Sequence, residues 1–161
     1  MLRWLWLAAA VIGLDQISKW AVLAYLPYAV PQPLFPGLNF TLVYNTGAAF
    51  SFLSQADGWQ RWLFVGLAAT VSAVLIAWLM RLEPHERWTA AGLALILGGA
   101  LGNALDRVVR GHVIDFIDIY YRHWHWPAFN LADSAITLGA TLLIVRTLFA
   151  RAESAPDRNG E

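Results

Sequence analysis

A bundle of four membrane-spanning helices with a small β-containing segment on one face is the fold class this chain predicts, on three observations. Its composition, 58% hydrophobic and 14% charged with a mean hydropathy of +0.50, lies outside the range of soluble domains, in which about a quarter of residues are charged. Four segments are each long and apolar enough to cross a hydrocarbon core roughly 30 Å thick, which takes about 20 residues at 1.5 Å rise apiece. Finally, four of the eleven acids, Asp106, Asp115, Asp118 and Asp133, fall between Gly98 and Ser134. Carboxylates in or beside a bilayer lose hydration and are rare there unless paired, facing a wet cavity, or functional.

The first span is read over residues 4–26. Arg3 and the apolar run that follows it resemble a cleavable leader, but Asp15, Gln16 and Lys19 interrupt the run where small residues would mark a cleavage site, and the apolar pattern then resumes. The segment is therefore expected to be retained. Pro27, Pro31, Pro33 and Pro36 hold the next stretch extended. After Gly37 the residues Leu38, Phe40, Leu42 and Tyr44 alternate with Asn39, Thr41, Val43 and Asn45, a period of two that predicts a strand with one apolar face. Its backbone must pair within a small sheet, because an open edge cannot sit in lipid. The second span, 62–80, is uncharged between Arg61 and Arg81, and a short turn containing Pro84 leads to the third, 88–105. An extended stretch around Asp115 and an aromatic turn precede the fourth span, 132–150, the weakest because Asp133 opens it and Arg146 stands near its end. The whole reads as one integral-membrane domain over 1–151 with a polar tail over 152–161. Trp59, Trp62, Trp88, Trp124 and Trp126 lie near predicted span ends, as an interfacial aromatic belt would.

Four spans place both termini on the side of the short turn and both long connections on the other. No Lys or Arg occurs from Ala21 to Gln60, whereas Arg3, Arg81, Arg87, Arg151 and Arg158 fall on the first side. The excess of cations expected on cytoplasmic loops puts the termini inside, with Arg107, Arg110 and Arg122 running against it. Zero formal net charge offers no basic surface for nucleic acid, and the absence of cysteine excludes disulfides, thiolate metal sites and a cysteine nucleophile.

Each polar group has a bland and a chemical reading. Asp15 and Lys19 are an i,i+4 pair with the acid first, either a pin for helix packing or part of a site, with Lys19 long enough to snorkel to the outer surface. Gly98 and Gly102, four apart, permit close helix approach. Asn103, Asp106 and Arg107 then share a face as the third helix ends, and Arg107 is placed to neutralise Asp106 or to grip a carboxylate. Asp133 stands three residues after Asn130, the spacing of a helix cap and its N3 acid. Brought beside Asp115, it would instead form a pair that cannot both ionise cheaply, one carboxylate taking a proton from water while the other donates to a carbonyl under attack. Such a dyad activates water unaided, so no metal and no other cofactor is expected. The competing uses are a metal site drawing on His112, His123, His125, Asp115 and Asp118, whose spacing matches no helical zinc motif, and an ion-coupled transporter, which would place its charges near the bilayer midplane.

Taken together, DQISK at 15–19, NTGAAF at 45–50, GGALGNALDR at 98–107, VIDF at 113–116 and FNLAD at 129–133 resemble the lipoprotein signal peptidases, or signal peptidase II. The resemblance spans nearly the whole chain in the family's order. It implies an inner-membrane aspartyl endopeptidase that cuts a prolipoprotein just before its diacylglyceryl-modified cysteine and that globomycin inhibits; the chain is expected to act as a monomer in contact with membrane lipid. Carried over residue by residue, it makes Asp115 and Asp133 the catalytic pair. Asp15, Asn45, Asn103, Arg107 and Asn130 become the residues that support the site and the substrate, and Lys19, Gly47 and Asp106 are expected beside them.

Overall fold

The computed structural model describes residues 1–47 and 58–153. The last three residues of the Asn45–Phe50 motif, and the predicted tail from residue 154 on, lie outside that range. Four helices are long and apolar enough to cross a membrane: α1 (Leu5–Tyr25), α2 (Trp59–Arg81), α3 (Arg87–Arg110) and α4 (Leu131–Glu153). Four antiparallel strands in the order β1 (Gln32–Phe35), β2 (Leu38–Asn45), β3 (Val113–Tyr121) and β4 (Trp124–His125) form a sheet at the end of the bundle where α1 and α3 finish and α4 begins.

Helix α3 is the axis, packed against each of the other three, and its glycines set the close approach to α1 and α4. A Cβ on Gly98 would stand 2.7 Å from the Val11 Cβ of α1, and one on Gly102 would stand 2.9 Å from Asp15 Oδ2. Both are far inside ordinary contact, so the predicted small-residue pair does bring helices together. A second face works the same way toward α4, where a Cβ on Gly92 would lie 3.0 Å from the Gly139 carbonyl and one on Gly139 would lie 2.6 Å from the Gly92 carbonyl. Leu75, Leu79, Leu93 and Leu97 close the apolar core between α2 and α3.

The third helix runs five residues beyond its predicted end at 105, because Asp106 is sunk in protein rather than leaving the membrane. It stops where Gly111 adopts φ +85° and donates its N–H to the Arg107 carbonyl at 3.1 Å, a left-handed cap that glycine favours.

Strand β2 occupies the predicted residues, but its simple alternation does not hold. Phe40 pairs with Ile117 and Val43 with Asp115, so β2 carries one more residue than β3 between the two pairs, a bulge that changes the strand's phase. Leu42 is buried, whereas Tyr44 turns outward onto Tyr28 and His112. The shift has a use. Asp115 and Asp118 are three apart and so leave an extended strand on opposite sides. Only with the extra residue does Asn39 meet Asp118 while Asn45, six residues on, meets Asp115.

Candidate active site

Asp115 and Asp133 line one cavity of about 1560 Å³, together with Asn45, Asn103, Arg107 and Asp118. Three connections bring the two carboxylates there. Pairing of β2 with β3 presents Asn45 to Asp115, whose Oδ2 accepts the Asn45 amide at 3.0 Å. On the other edge of β3, Phe129 pairs with Ile117 through N–H···O bonds of 2.8 and 3.1 Å, which delivers Asn130 to Asp115; its amide donates to Oδ1 at 2.7 Å. Asn130 is also the cap of α4. Its Oδ1 accepts the Asp133 N–H at 2.9 Å, and Asp133 Oδ2 accepts the Asn130 N–H at 3.2 Å, the reciprocal capping box that the spacing predicts. The capping reading of Asp133 is thus met, and its other oxygen, Oδ1, accepts Asn103 Nδ2 at 2.8 Å.

Burial, and then the neighbouring Asp133 carboxylate, push the Asp115 carboxyl up to about 6, against the hydrogen bonds from Asn45 and Asn130. A like charge beside a desolvated acid raises that acid's hold on its proton.

Behind these two carboxylates lies a buried ionic cluster. Lys19 is fully buried and does not snorkel. An ammonium has three donors, and all three are taken: Asp15 Oδ2 at 2.8 Å, Asp106 Oδ2 at 2.9 Å and Asn103 Oδ1 at 2.9 Å. Satisfied within the protein, the side chain has no reason to reach for water. Asp15 Oδ1 accepts the Ala132 N–H at 3.0 Å, so the α1 acid also helps to cap α4. Arg107 does not neutralise Asp106. That acid is bound by Lys19 and Arg110, while Arg107 donates to the Gly47 carbonyl at 2.7 Å and lies over the Phe64 ring at 4.9 Å. Gly47 in turn donates its N–H to Asn45 Oδ1 at 3.0 Å, holding that amide with its nitrogen toward Asp115.

The histidines do not gather round Asp115. His112 stacks on Tyr44, and His125 places Nδ1 2.7 Å from Asp118 Oδ1. Burial raises the Asp118 carboxyl, but hydrogen bonds from His125, Asn39 and Thr41 outweigh it and hold the group below the usual carboxylate range. Among the described residues no three histidines or acids are arranged to hold a metal ion. Sequence reasoning missed Gln16 and Arg110, both on Asp106; the available signal was that Arg110 stands four residues after Asp106 on one helix face.

A four-helix membrane bundle with paired carboxylates at one end is the build of a membrane-embedded peptidase of the aspartic type. The model for signal peptidase II, also abbreviated SPase II, matches residues 7–149, and the chain belongs to that family. It is 55% identical over 148 residues to a lipoprotein signal peptidase of Acinetobacter baylyi, covering 92% of this chain and 83% of the relative. It is likewise 55% identical over 144 residues to a lipoprotein signal peptidase of Pseudomonas paraeruginosa, covering 88% and 85%. Two solved bacterial membrane enzymes share the fold. One superposes with a TM-score of 0.86 at 27% identity over 98% of this chain and 94% of its own, the other with 0.80 at 29% over 92% and 94%.

Proposed function

We propose that Asp115 and Asp133 are the catalytic dyad that removes signal peptides from prolipoproteins by cutting before the diacylglyceryl-modified cysteine. The observation that carries this reading is the two acids lining one cavity, joined through the Asn130 and Asn103 amides. One carboxylate takes a proton from a water molecule as its oxygen adds to the scissile carbonyl. The other donates a proton to the carbonyl oxygen, giving a neutral gem-diol. Collapse breaks the C–N bond. The signal peptide leaves with a carboxylate and the lipidated cysteine with a free amine, which takes its proton from the dyad. Asn45 and Arg107 border the cavity, each bonded to Gly47, and hold the unwound substrate backbone, whose groups need partners away from water; globomycin-type inhibitors compete for the same space. The chain works as a monomer, with its termini in the cytoplasm and the sheet at the outer face, the orientation favoured by the cation-free run from Ala21 to Gln60. There the acyl chains, each buried CH₂ contributing about 0.8 kcal/mol, hold the cysteine at the depth of the dyad.

The test is turnover of a diacylglyceryl-modified precursor by Asp115→Asn and Asp133→Asn. Each is expected to lose at least about a thousandfold in kcat while remaining in the membrane. Substantial cleavage by either variant would sink the dyad.

A further inference from the structure

We infer that Lys19, which touches neither carboxylate of the dyad, is a positioning residue that fixes the orientation of the Asn103 amide and so compels it to donate to Asp133. The inference rests on the reading of Asp115 and Asp133 as the dyad. A carboxamide has one accepting and one donating end, and the two fit almost the same space when the group turns by half a revolution. What decides between the orientations is the company at each end. On one side of Asn103 stand Lys19 Nζ at 2.9 Å and Asn130 Nδ2 at 3.2 Å, both of which only donate. On the other stands Asp133 Oδ1 at 2.8 Å. Turning the amide would set an NH₂ against an ammonium and a lone pair against a carboxylate, two repulsions in a buried site where each is felt strongly. With an apolar group in place of Lys19, only the Asn130 amide would hold the accepting end, and Asn130 already bonds Asp115 Oδ1 and the Ile114 carbonyl.

Lys19 is itself aimed by Asp15 and Asp106, both fully buried, so the line runs from a neutral ionic cluster through one amide to one oxygen of one carboxylate. A hydrogen bond to an ionised carboxylate is worth more than one between neutral groups, so its loss biases the dyad toward holding its proton.

The difficulty in testing Lys19 is that Lys19→Met alone leaves Asp15 and Asp106 facing a single cation, Arg110. The test therefore pairs Lys19→Met with Asp15→Asn, which keeps Asp106 and Arg110 as a neutral pair and leaves an oxygen to accept the Ala132 N–H. The purified double variant is compared with wild type in thermal stability and in kcat and KM across pH on a diacylglyceryl-modified precursor. The expected result is a Tm close to wild type, an unchanged KM, a kcat lower by about ten- to a hundredfold, and an acid limb of the pH profile displaced to higher pH. Adding Asn103→Ala should then change little, because the two act on one oxygen. A wild-type pH profile, or losses from Asn103→Ala and from the double variant that multiply, would overturn the inference. Should the double variant not fold, Asn103→Ala alone, which keeps both ion pairs of Lys19, must still show the displaced acid limb; a wild-type limb there overturns it equally. Turnover by Asp133→Asn would remove the dyad and this role together, whereas a dead Asp133→Asn beside a wild-type profile in the Lys19 variant would remove only the role of Lys19.

Discussion

Asp115, one acid of the proposed dyad, bears a cost in its own folding energy. Its carboxyl titrates at about 6 in the folded protein, above the ordinary value of 3.8, so the folded state binds that proton more tightly than the unfolded one. This group therefore costs nothing below about pH 4, costs progressively more between about 4 and 6, and costs its full amount above that, on the order of 3 kcal/mol. Asp115→Asn should therefore gain thermal stability relative to wild type at pH 7.5 and lose that gain as the pH falls toward 4. Unfolding scans of both proteins across that range check it, and a stability difference independent of pH would contradict it. Both acids of the proposed dyad could be singled out from the sequence, because a carboxylate next to an apolar run is conspicuous. Their connections could not be. That Lys19 would spend its third hydrogen on Asn103 depends on α1 and α3 lying side by side, a distance of 84 residues along the chain.

Contact between α3 and α4 puts the backbone of Ala132, and hence Asp133, against Gly99. A Cβ there would collide with the Ala132 carbonyl and the Ile136 side chain, so Gly99→Ala should force the helices apart at the first turn of α4. The expected cost is about 1–3 kcal/mol, with activity falling more than stability because the displaced turn carries Asp133. Gly66→Ala on the open side of α2, where nothing lies within 4 Å, is the matched control and should be neutral or mildly stabilising. Equal behaviour of the two variants in a Tm and turnover assay would show that the close approach does not matter. Helix existence was legible from hydropathy, and so was the Gly98–Gly102 face. The Gly92, Gly99 and Gly139 face was not, since a glycine on an apolar helix does not say which neighbour it admits. The bulge in β2 was hidden for a related reason: Leu38–Asn45 alternates cleanly by composition, and only the positions of Asp115 and Asp118 on the facing strand require the break in phase.

At the scale of the whole molecule, the sheet, the cavity and the two acids that line it sit at one end and the turn over 82–86 at the other. Because the chain contains no cysteine, single cysteines at His123 and His85, both exposed, report the sidedness directly. An impermeant thiol reagent on intact spheroplasts should label the first and spare the second; the reverse pattern would invert the proposed orientation. The buried ionic cluster bears on how such a molecule is made. Asp15 and Lys19 lie one turn apart on α1, and Asp106 and Arg110 lie one turn apart on α3. Each helix thus enters the bilayer carrying its own counterion, so neither segment has to wait unbalanced in lipid for the other to be synthesised. When the two meet, Lys19 adds Asp106 to its partners, and the charges that were self-neutralised within each helix become the bond between them. Removing one charge alone should therefore trouble the insertion of a single span before it troubles the finished enzyme.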